Sequence, residues 1–65
     1  MNKYYEILMQ FDIGVPVTRF SLIHRFPEQL VDEIIEKGYI VYFDQSQFDE
    51  PRYIITKLGL EVRDK

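Results

Sequence analysis

The chain contains no cysteine and no tryptophan, only three glycines, three prolines and one histidine among 65 residues. Without cysteine there is no disulfide and no thiolate metal site, and a lone His24 cannot assemble a ligand cluster, so neither a metal nor a cofactor is expected. Long apolar runs are missing too. None approaches the roughly 20 residues of a membrane span, and Met1-Asn2-Lys3-Tyr4-Tyr5-Glu6 lacks the apolar segment of a secretion signal. A cytoplasmic protein is expected. Basic charge is the scarcer kind, with 8 Lys and Arg against 11 Asp and Glu for a net charge of −3, which runs against a surface built wholly to hold a polyanion. The shortage of glycine and proline excludes linkers and low-complexity segments, and there is no internal repeat. One domain, residues 1–65, is expected. A domain this small removes only about 60% of its unfolded surface from water, so its stability margin is thin.

What is present is 46% hydrophobic and 15% aromatic, arranged with clear periodicity. Tyr4, Ile7, Leu8 and Phe11 recur at spacings of three and four, predicting a helix over residues 2–12 with Gly14 and Pro16 behind it. Tyr5 and Met9 lie on a second stripe that the first cannot cover. Residues 15–17 are held extended by Pro16. Thr18 is placed to cap a helix over 19–25 with Phe20, Ile23 and Leu22 as its inward candidates. Pro27 ends that segment and opens a helix over 28–37, in which Leu30, Val31, Ile34 and Ile35 form the buried stripe. Gly38 stops it. Strands follow at 39–43 and 52–55 around a polar loop at 44–51, too long for a two-residue hairpin. Thr56 caps a last helix over 57–63 with Leu58 and Val62 as its inward pair.

Two runs carry a resemblance. Residues 30–35 with Glu36-Lys37-Gly38 and the apolar strand behind them, then Tyr53-Ile54-Ile55-Thr56-Lys57-Leu58-Gly59, are similar to bacterial winged-helix regulators of the multiple-antibiotic-resistance and PadR-like kinds. The match runs from about Val15 to Arg63. It implies an α+β winged helix-turn-helix, with three helices, a β-hairpin wing, a short C-terminal helix, and an edge strand at residues 15–17. It also implies a DNA-binding transcription regulator whose second turn helix enters the major groove while the wing touches the backbone. Carried onto this chain, the contacts to duplex DNA are Arg19, Arg25, Gln29 and Arg52.

The charges pull the other way. A groove-entering helix normally offers donors to base edges and phosphates, yet the outer side of residues 28–37 carries Glu28, Asp32, Glu33 and Glu36 beside Gln29 and Lys37. Facing about one phosphate charge per 1.7 Å of duplex axis, those carboxylates meet repulsion. Asp44, Asp49 and Glu50 outweigh Arg52 in the loop. Arg19 and Arg25 read more simply as surface arginines paired with Glu28 or Glu6, and Glu33 with Lys37 as a helical ion pair. The row Glu28, Asp32, Glu36 has a spacing able to hold a hard cation, but reads more simply as a solvated helix face. No glycine-rich phosphate loop and no paired nucleophile and base occur, so the chain is not expected to be an enzyme or to bind a small-molecule substrate.

Apolar residues are in surplus. Strand alternation puts Ile40, Tyr42, Tyr53 and Ile55 on the inner face and Val41, Phe43 and Ile54 on the outer one. Together with Tyr5 and Met9, and Phe48 in the loop, these predict an interface for a homodimer or another protein. Two functions remain in view. The resemblance favours DNA; the acidic helix and apolar hairpin favour a protein partner.

Overall fold

A computed structural model describes residues 2–65. It is an α+β fold of four helices and one three-stranded antiparallel sheet. The opening helix α1, Tyr5–Leu8, is shorter than its periodicity predicts. After Leu8 the bonds shorten in span, with Gln10 N–H donating to Ile7 and Phe11 N–H to Leu8, so the turn tightens while still delivering Phe11 inward. The stripe therefore survives the loss of the helix: Ile7, Leu8 and Phe11 are all buried.

Strand β1 is Val17–Thr18, with Pro16 just outside it. Thr18 then caps α2, Arg19–Arg25, its hydroxyl accepting from Ser21 N–H at 3.1 Å. Within α2, Leu22 is the buried residue and Ile23 is half-buried, whereas Phe20 is 51% exposed and rests on the His24 ring. The expected inward role of Phe20 is thus corrected; an α-helix step of 100° cannot send positions 20 and 22 to the same side, and Leu22 took the core. Phe26 is extended before Pro27, as a residue preceding proline must be, and α3 runs Glu28–Glu36 with Val31 and Ile34 buried. Gly38, at φ +78°, supplies the left-handed turn that ends it.

The sheet order is β1-β3-β2, with β2 at Ile40–Gln45 and β3 at Pro51–Ile55. Tyr42 pairs with Tyr53 but Asp44 pairs with Arg52, so Phe43 is an extra residue, a bulge. Of β2 only Ile40 is buried, and the strand beyond it is largely exposed. Tyr42, expected inside, is 52% exposed and meets Tyr53 edge-on instead. Helix α4, Lys57–Arg63, packs through Gly59, Leu60 and Val62, while Leu58 is 46% exposed. Leu58 is the third expected core residue to face water, after Phe20 and Tyr42, because α4 is rolled to bring Gly59 against the sheet.

Two bonds tie the chain ends together. Asn2 donates from its amide to the Val62 carbonyl at 2.8 Å, and Arg63 donates to the Phe11 carbonyl at 3.1 Å. They close the N-terminal segment over the core of Ile7, Leu8, Phe11, Leu22, Val31, Ile34, Ile40 and Ile55.

Candidate functional site

The tight α2–α3 join brings the N-terminal end of α2 against the first turns of α3, and with it three charges. Arg19 donates from one guanidinium nitrogen to Glu28 at 3.0 Å and to Asp32 at 2.8 Å. These bonds hold its pKa above the ordinary arginine value, Asp32 contributing most. Two carboxylates and one arginine leave this corner acidic. The row of Glu28, Asp32 and Glu36 is broken by the same arginine, which fills the gap between its first two members.

Glu33 departs from the expected helical pair with Lys37. It accepts instead from the Tyr4 hydroxyl and from Lys3 Nζ at 3.2 Å, because the N-terminal segment crosses α3 there and offers two donors. The Tyr4 bond, and secondarily Lys3, hold the Glu33 carboxyl below its usual range. In return the hydrogen bond that the Tyr4 hydroxyl donates to Glu33 pushes the phenol up to about 12, with desolvation and the neighbouring carboxylate charge adding to it. Tyr4 also meets the Tyr39 ring edge-on, with centroids 5.1 Å apart.

At the hairpin, Arg52 grips Asp44 with two bonds, Nε to Oδ1 at 2.6 Å and Nη2 to Oδ2 at 2.5 Å. The bulge creates this pair by shifting the register so that Asp44 stands opposite Arg52. The Arg52 bond holds the Asp44 carboxyl below its ordinary value. Beyond it, Ser46 shapes the loop: its hydroxyl accepts from the Phe48 and Glu50 backbone N–H groups, both at 3.2 Å, and Asp49 takes φ +61°. The loop presents Phe48 at 78% exposure.

Of the four residues carried over as DNA contacts, Arg19 and Arg52 are therefore already bound to carboxylates, while Arg25 and Gln29 are exposed on either side of the α2–α3 turn. The five interface candidates fall into two groups. Val41 and Ile54 are direct partners across β2 and β3 and so share one face, with Val41 and the bulged Phe43 exposed and Ile54 half-buried on the central strand. Tyr5 and Met9 instead line a cleft with Glu6, Gln10, Arg25 and Phe26. Phe26 was missed as a surface residue by sequence reasoning; its place directly before Pro27, where the helix is interrupted, was the available signal.

No helix among the described residues is long and apolar enough to cross a membrane. No protein-family model, curated protein or solved structure matches this chain.

Proposed function

We propose that the chain is a non-enzymatic winged-helix module in which α3 and the hairpin meet a protein partner in place of DNA. The winged-helix reading is supported by the order α1-β1-α2-α3-β2-β3-α4, by the β1-β3-β2 sheet, and by the tight α2–α3 join. The observation that carries the protein-binding reading is the double ion pair of Arg19 with Glu28 and Asp32. The arginine best placed to neutralise a phosphate beside α3 is engaged by two carboxylates of that helix. Arg52 is engaged by Asp44 in the same way. Approach to a duplex would require breaking these pairs while also bringing α3 carboxylates towards phosphate charge, at a cost in place of counterion release.

A protein surface with basic and apolar groups suits this face better. Glu28, Asp32 and Glu36 supply acidic contacts, and Val41, Phe43 and Phe48 supply exposed apolar ones.

Fluorescence anisotropy on a labelled random duplex at about 50 mM salt tests the choice, because non-specific phosphate binding is strongest there. The wild-type chain is expected to leave the signal unchanged. A Glu28→Gln/Asp32→Asn variant, which releases Arg19 and removes two carboxylates, is expected to bind measurably. Salt-sensitive binding by the wild type would overturn the reading and restore DNA as the target.

A further inference from the structure

Two clefts of about 200 and 510 Å³ share Tyr5, Glu6 and Phe26 and run together into one groove between the N-terminal segment and the α2–α3 turn. Ile7 and Leu30 line one end, Met9 and Arg25 the other. Apolar and aromatic groups thus run along the groove beside the polar Asn2, Lys3 and Gln10, with an acid on one helix and a base on the other. Arg19, Arg52 and Arg63 each meet a carboxylate, but among the described residues Arg25 meets none, and neither does Glu6 meet a base. Both are exposed.

We propose that this groove seats a second copy of the chain about a two-fold axis. A two-fold interface places one patch against itself, so the patch must carry its own complement. This one does. Laid against its copy, the strip of Tyr5, Met9 and Phe26 covers an identical strip, and Glu6 of each copy meets Arg25 of the other. The acidic outer face of α3 lacks this property, since it would oppose like charges. The edge of β2 lacks it as well: the Phe43 bulge distorts the open edge, a feature that disfavours strand-to-strand pairing. Met9 suits an interface that must adapt to a facing aromatic side chain. With eight buried side chains forming the core of so small a domain, association also adds apolar burial where it is scarce.

The proposal stands apart from the protein-binding reading, which rests on α3 and the hairpin. Sedimentation velocity from ~1 μM to ~1 mM, the range of weak to moderate association, is the test. A reversible dimer is expected. Glu6→Arg and Arg25→Glu, each alone, are expected to weaken it roughly tenfold or more by setting like charges together at both symmetry-related contacts. The double swap, Glu6→Arg with Arg25→Glu, is expected to return the affinity to within about threefold of wild type, because the pair is recreated with its signs exchanged. Circular dichroism verifies that each variant keeps its fold, and Met9→Asp provides an independent break in the apolar strip. A monomer throughout the range overturns the proposal, and leaves the anisotropy experiment to judge the partner reading separately. So does a dimer indifferent to both single swaps, one not restored by the double swap, or one broken by Phe43→Asp alone.

Discussion

Gly59 lies so close to the backbone of Tyr39 that a Cβ added to it would stand 2.1 Å from the Tyr39 carbonyl oxygen. That oxygen also accepts from the Thr56 N–H at 3.0 Å and lies 3.0 Å from the Thr56 hydroxyl, which is itself 2.7 Å from the Gly38 carbonyl and accepts from Gly59 N–H at 3.0 Å. The start of α4 and the end of the α3 turn are thus one bonded unit. Threonine is needed for the cap and glycine for the approach.

Gly59→Ala is expected to destabilise the fold by about 1–3 kcal/mol, the usual cost of forcing an atom into a packed site, even though alanine is the better helix former. Urea unfolding against Leu58→Ala, on the exposed side of the same helix, isolates the effect. Equal midpoints for the two variants would show that α4 gives way freely at this contact.

Removing the Thr56 hydroxyl with Thr56→Val is expected to cost about 1–2 kcal/mol through the lost cap. The same melt measures it, and a loss confined to a few tenths would mean that water replaces the hydroxyl.

The Tyr4–Glu33 contact makes stability depend on pH at both ends. Tyr4 has its folded pKa raised to about 12, so its contribution is complete below the ordinary phenol value of about 10 and is lost as pH rises through about 12. Glu33 has its folded pKa lowered, so its share is present above the ordinary carboxylate range and is lost as pH falls through the depressed value. Tyrosinate absorbance, compared between wild type and Tyr4→Phe, should assign one ionisation near 12 to Tyr4. In Glu33→Gln that ionisation should move down. Unchanged titration in Glu33→Gln would remove the carboxylate as the cause.

Asp44 behaves likewise at low pH. Its carboxyl is depressed by Arg52, so the stability of the hairpin pair is held above the ordinary carboxylate range and declines as pH falls through the lowered value. Asp44→Asn should flatten part of the acid arm of the stability profile, read from thermal melts between neutral and acid pH. An acid arm identical to wild type would count against the pair.

The two aliphatic or aromatic truncations on neighbouring helices should differ sharply. Ile34→Ala empties a fully buried site and is expected to cost about 2–5 kcal/mol, enough to unfold much of so small a domain. Phe20→Ala, half exposed against His24, is expected to change stability by about 0.5 kcal/mol or less. Circular dichroism at increasing urea compares them, and comparable losses would place Phe20 in the core after all.

What the sequence determined by itself was everything governed by near neighbours. The stripe of Ile7, Leu8 and Phe11, the caps at Thr18 and Thr56, the extended residue before Pro27, the stop at Gly38 and the pairing of the two strands all follow from spacing, backbone restriction and short-range hydrogen bonds. Tertiary structure decided what depends on partners far along the chain. Glu33 chose Lys3 and Tyr4, about thirty residues away, over Lys37 four residues away; Arg19 chose carboxylates on the next helix; and the Phe43 bulge put Asp44 opposite Arg52. Those choices turn on where whole elements come to rest, and the roll of a helix such as α4, set by one close approach at Gly59, is invisible to any pattern confined to that helix.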